Sequence, residues 1–220
     1  MIGMFKILII LVWLSITAPV FSANNYNLII IVPDDHARRA MGAYGDDQVL
    51  TPNLDQLASH GARFDNAYAA APVCSPSRAA LLSGQYPSQV GINDFFMLNK
   101  NYSNQGMDES ALIWPEVLKD NGYETGLIGK WHLGELPKYQ PQNRGFNYFV
   151  SYDQDLTPFN PLLNVNGTLK KISGHTSNIF ADYAIQFLRK NQNNKFALTV
   201  AFREPQVPWN QVPEEDLRAV

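Results

Sequence analysis

Apolar positions along the chain fall into two kinds of run. NLIIIVPDD, Asn27 to Asp35, holds five consecutive apolar residues and ends at Pro33. A continuous run of this kind predicts a strand buried on both faces, with Asp34 and Asp35 at its carboxyl end. FALTVAF, Phe196 to Phe202, predicts another, and GYETGLIGKWHLG, Gly122 to Gly134, a strand with a polar exit. Side chains two apart on an extended chain share a face, so Lys130 and His132 are expected to point the same way. The other runs have helical spacing. TPNLDQLASHG gives Thr51 as N-cap, Pro52 at the first position, Leu54, Leu57 and Ala58 on an inner face, and Gly61 as stop. In PVCSPSRAALLSG, Pro76 suits the first turn of a helix through Leu82, with Gly84 beyond its end and Cys74 left at its N-terminus. WPEVLKDNG predicts a short helix opened by Pro115 and closed by Gly122, and NIFADYAIQFLRKNQ a longer one with Ile179, Tyr183, Phe187 and Leu188 inward.

Strands alternating with helices predict an α/β fold with a largely parallel central sheet flanked by helices. The stretch from Gly145 to Gly174 has weak periodicity and predicts a long loop or small excursion facing substrate. VPEEDLRAV opens like a helix at Pro213 and stops within about a turn and a half. We therefore expect an incomplete domain.

Composition changes this picture in two places. The opening MIGMFKILIILVWLSITAPVFSA has one positive charge, Lys6, then an apolar run, then small residues near Ser22. It reads as a signal peptide over residues 1–22, because the run is interrupted by Ser15, Thr17 and Pro19 and is shorter than the roughly 20 residues a spanning helix needs. Residues 23–220 then form the exported part, secreted or periplasmic, with no stable membrane anchor. A net charge of −3 without any basic run excludes a nucleic-acid footprint. Second, there is a single cysteine, which cannot form an internal disulfide. Cys74 is either buried and inert or chemically special.

In open α/β sheets ligands bind beyond the carboxyl ends of the strands. Asp34 and Asp35, Cys74 with Arg78, Lys130 with His132, and the exit after Phe202 are all expected there. Each has a plain alternative. The two aspartates suit a turn, Lys130 and His132 suit a surface, and Cys74 suits a core. A thiolate nucleophile would need a partnering histidine and no carboxylate pair. Together these residues describe an anion site with a cation in it. The surroundings suit a sulfate or phosphate better than the plain thiolate of a cysteine hydrolase.

CSPSRAALLSG, Cys74 to Gly84, resembles the signature of the type I sulfatases, C-x-P-S-R followed by a small-residue helix. GYETGLIGKWHLG resembles the second signature of that family, NLIIIVPDDH its first strand and metal aspartates, and TPNLDQLASHGARFDNAY the segment between. The resemblance implies the alkaline phosphatase-like fold and a sulfuric ester hydrolase acting on sulfated carbohydrate. It implies that formylglycine-generating machinery oxidises Cys74 to formylglycine, whose hydrate attacks sulfur. It further implies that Asp34, Asp35 and residue 74 bind Ca2+, that Arg78 and Lys130 hold the diol and sulfate oxygens, and that His132 assists elimination. An animal host would make such an enzyme lysosomal.

Two departures stand out. The family has Pro-His-x-Pro after the Phe196–Phe202 strand, whereas EPQVPW puts Gln206 at the histidine's place. Glutamine can bind substrate but has no acidic proton to give. The remaining metal ligands would lie in a later portion, so the chain is expected to match the N-terminal part of a sulfatase domain and to be inactive alone. A phosphonate or phosphodiester hydrolase of the same superfamily is the alternative enzyme, and a non-catalytic binder of sulfated glycans the alternative outside catalysis.

Overall fold

The computed structural model describes residues 26–96, 104–152 and 157–217. The expected signal peptide, residues 1–22, lies outside them. Among the described residues no helix is long and apolar enough to cross a membrane.

Among the described residues six strands form one mixed sheet: β1 (Leu28–Val32), β2 (Glu124–Lys130), β3 (Tyr148–Tyr152), β4 (Leu162–Val165), β5 (Thr168–Lys171) and β6 (Phe196–Ala201), in the order β1-β6-β2-β3-β4-β5. The first four in that order run parallel, and β4 and β5 are antiparallel additions. The helices are α1 (Pro52–His60), α2 (Cys74–Ser83), α3 (Trp114–Asp120), α4 (Thr176–Asn191) and α5 (Glu214–Leu217).

The apolar runs of β2, β3 and β6 serve two cores because successive side chains alternate across the sheet. Leu127 and Phe149 join Ala79, Leu82, Met107, Trp131 and Phe146 on the α2 side. Ile128 and Val150 join Phe180, Phe187, Leu198 and Val200 under α4. Gly129 lets β2 and β6 approach closely: it sits at φ +107, and a Cβ there would strike the carbonyl oxygen of Ala201. That contact fixes the point at which Lys130 leaves the sheet.

Four expectations are corrected. The run at β1 is not buried, since among the described residues β1 lies at the edge of the sheet and Leu28, Ile29 and Ile31 are 39–55% exposed. Thr51 does not cap α1 through its side chain; its hydroxyl accepts from Gly42 N and donates to Asp55, and Leu57 faces solvent. The stretch 145–174, expected as a long loop or small excursion, is more regular than that: it contains β3, β4 and β5. Its hairpin turns on Asn166-Gly167, both at positive φ, the turn chemistry that a two-residue hairpin requires. Finally, β2 ends at Lys130 and His132 lies at φ +60, so the two-residue alternation does not extend to His132.

Candidate active site

The site is built from chain segments leaving β1, β2 and β6, together with the first turn of α2. Val73, in extended conformation, precedes the helix, and Ser77 N bonds to Val73 O at 2.9 Å. Cys74 is therefore the first helical residue, half-exposed and unbridged. Pro76 fits here because its missing N–H falls in the turn where donors have no helical partner. One turn further in, Arg78 is buried.

Three charged side chains meet below Cys74. Lys130 Nζ lies 2.5 Å from Asp34 Oδ2, and Arg78 Nη2 lies 3.6 Å from the same oxygen. Arg78 Nη1 also donates to the main-chain oxygen of Lys130 at 2.9 Å. All three side chains are under 10% exposed. Two cations against one carboxylate leave a buried positive surplus, which favours an anion. Arg78 Nε is buried with no hydrogen-bond partner among the described residues. Asp34, Asp35, His36, Cys74, Ser77 and Arg78 line one open cleft of about 300 Å³. Asp35 is exposed at its rim, at φ +60.

His132 approaches from the β2 exit. Its Nε2 lies 3.0 Å from Phe96 O; a carbonyl only accepts, so Nε2 carries the proton. Nδ1 is then a bare lone pair, buried and without a partner among the described residues. Burial pushes the ring down to about 4, the neighbouring Lys130 and Arg78 charges push the same way, and the Phe96 bond and Asp34 oppose them. Near neutral pH the ring is an uncharged base.

Gln206 sits half-buried in the exit loop of β6, with its main-chain N bonded to Arg203 O at 3.0 Å. Among the described residues its side chain has no hydrogen bond to the residues of the cleft. That loop carries a link that the sequence did not suggest. Glu204 O accepts from Asp34 N at 3.3 Å, and Glu204 Oε1 accepts from Thr176 Oγ1 at 2.6 Å. Glu204 thus ties the β1 exit to the start of α4. Tyr152, opposite Lys130 on β3, is a second unforeseen feature: its hydroxyl is buried without a partner among the described residues, and burial holds the phenol well above its ordinary range.

The family model for sulfatases matches residues 26–216. The chain belongs to the sulfatase family. Human N-acetylgalactosamine-6-sulfatase is 37% identical over 152 residues, covering 62% of this chain and 28% of that protein. An N-acetylglucosamine-6-O-sulfatase of Bacteroides thetaiotaomicron is 32% identical over 191 residues, covering 85% and 32%. Among solved structures, Ps i-CgsB in complex with k-i-k-neocarrahexaose superposes with a TM-score of 0.81 at 31% identity, over 88% of this chain and 48% of that one. A structure in complex with its substrate D-glucosamine-2-N,6-O-disulfate gives 0.72 at 30% identity, over 83% and 35%. The chain thus spans about a third of these curated relatives and under half of these structures. Its fold is the alkaline phosphatase-like one of the sulfatases, present in part. Within the sulfatase pattern, the cysteine signature supplies α2 and Arg78, and the GKWHLG segment supplies Lys130 and His132.

Proposed function

We propose that the protein is a sulfuric ester hydrolase that removes sulfate from sulfated carbohydrates, with residue 74 in its formylglycine form. One observation carries this reading: Asp34, Lys130 and Arg78 meet at one carboxylate oxygen beneath a cleft that Cys74 lines. Packing alone does not call for two buried cations beside a half-exposed cysteine. The orphaned Arg78 Nε suits a sulfuryl oxygen, and the names of the relatives favour a sulfated sugar as the class of ester.

The donor set also fits a hard cation. Asp34 and Asp35 open on the same cleft as residue 74, and the Lys130 ammonium already stands in for a cation on Asp34 Oδ2. We assign Ca2+ to Asp34, Asp35 and residue 74. Among the described residues no group of three metal-binding side chains occurs, and Ca2+ takes roughly 6–8 oxygens, so the remaining ligands belong to the part of the family domain that this chain does not span. When present, Ca2+ and the formylglycine hydrate supply an activated oxygen nucleophile at residue 74.

The chain's own groups do the rest. Arg78 and Lys130 place positive charge where negative charge grows on the sulfuryl oxygens. His132 Nδ1, uncharged and unpartnered, takes a proton from a hydroxyl brought to it. Gln206 offers an amide to the substrate but no proton to the leaving alcohol, so aryl esters depend on it less than sugar esters. Export fits this chemistry, with residues 1–22 removed and the formylglycine-generating machinery as partner, the product secreted or periplasmic, or lysosomal in an animal.

Matched sulfate and phosphate esters, each assayed with and without chelator on a protein that carries the whole family domain, test the reading. We expect chelator-sensitive release of sulfate in preference to phosphate. Preferred phosphate release favours the phosphodiester or phosphonate hydrolase, and tight binding of a sulfated glycan without product favours a binder.

A further inference from the structure

Asp34 Oδ2 has more cations than one oxygen can keep. Lys130 and Arg78 both approach it, at 2.5 and 3.6 Å, and a divalent cation at this carboxylate would bring two further positive charges into the same buried space. Close like charges in a poorly screened site repel strongly, so one of the three has to yield. Arg78 is held elsewhere as well, through its Nη1 bond to the main-chain oxygen of Lys130. For Lys130 Nζ, Asp34 is the one hydrogen-bond partner among the described residues. It also rides on four rotatable methylenes. Lys130 is the group free to leave.

We infer that Lys130 exchanges partners: its ammonium occupies Asp34 Oδ2 until a divalent cation takes that oxygen, and then turns to the anionic group of the substrate. This rests on the reading that Asp34 and Asp35 hold the cation. Lys130 is 7% exposed, and a buried ammonium stripped of its carboxylate needs a new counter-ion. A tetrahedral anion beside Arg78 supplies one. Cation and anion sites are therefore coupled through Lys130, and by linkage each tightens the other. The arrangement also protects the site before loading, because Lys130 keeps Asp34 neutralised where an empty carboxylate pair would repel an incoming anion.

The test is Ca2+ binding followed by calorimetry on a protein that carries the whole family domain, with inorganic sulfate as the anion probe and no turnover involved. Lys130→Met keeps the stem and removes the competing charge. The inference predicts that K130M binds Ca2+ about tenfold or more tightly than the native protein, and that sulfate tightens Ca2+ binding in the native protein but not in K130M. If K130M fails to fold, the sulfate dependence of native Ca2+ binding still decides. Native Ca2+ binding that needs Asp34 but ignores sulfate, or a K130M affinity equal to or weaker than native, overturns the exchange and leaves the metal reading standing. Absence of any Asp34-dependent Ca2+ binding in both proteins removes the metal reading and the exchange with it.

Discussion

His132 donates its Nε2 proton to the carbonyl oxygen of Phe96 across 3.0 Å, and that bond leaves Nδ1 bare and buried. The consequence is a pH dependence of known sign. The folded ring titrates at about 4 against an ordinary 6.5, so between those values the unfolded chain holds a proton that the folded one does not. Stability contributed by the neutral ring is complete above 6.5 and declines as pH falls toward 4, by up to about 1.4 kcal/mol per pH unit. Denaturant unfolding at about pH 7 and about pH 5 should show the loss in the native protein and a smaller one in His132→Asn. Equal losses in both would assign the slope to other groups.

The charge triad predicts an asymmetry between its members. Asp34→Ala leaves Lys130 and Arg78 as two buried cations without a partner, which should destabilise by about 3–5 kcal/mol. Arg78→Ala leaves the Asp34–Lys130 pair intact and removes the bond to Lys130 O, at about 1–3 kcal/mol. Unfolding in chelator measures both. The reverse order would mean that Arg78, and not Asp34, holds the triad together.

Much of this site is legible in the chain because its residues sit at element ends that local signals mark. Pro76 and Gly84 bracket α2 and put Cys74 at its start; the apolar run before Lys130 ends β2; Pro33 ends the run before Asp34. Other features depend on partners distant in sequence. The exposure of β1 follows from its edge position among the described residues, and the partner of the His132 ring is the carbonyl of Phe96, 36 residues away. The role of Glu204 follows from Thr176 and Asp34, neither of which is its neighbour in the chain. The β4–β5 hairpin could have been read from Asn166-Gly167, but the weak alternation on either side concealed it.

Gly129 should tolerate no side chain. Gly129→Ala combines positive φ with a collision against the Ala201 carbonyl, so we expect a loss of about 3 kcal/mol or more and displacement of Lys130. Gly122→Ala has positive φ but open space around it, and should lose only about 1–2 kcal/mol. Thermal unfolding of the two variants separates strain from collision, and similar losses would refute the close β2–β6 approach as the reason for glycine.

Tyr152→Phe should not destabilise the protein, and should stabilise it by up to about 1 kcal/mol, because the hydroxyl is buried without a partner among the described residues. The ring keeps its stack on Phe180, 6.2 Å between centroids. A loss above about 1 kcal/mol on denaturant unfolding would reveal a hydrogen bond, direct or through water, to that hydroxyl.

On this reading Cys74 is present to be oxidised and not to pack. Trypsin cuts after Arg63 and Arg78 and releases Phe64–Arg78, a peptide that contains the single cysteine. Its mass, measured on protein made together with active formylglycine-generating machinery, is the most direct test. We predict that sulfur is replaced by an aldehyde oxygen at residue 74 in the native protein and that Pro76→Ala suppresses the change. An intact thiol in every native molecule would contradict the account, because the proposed nucleophile would then not exist.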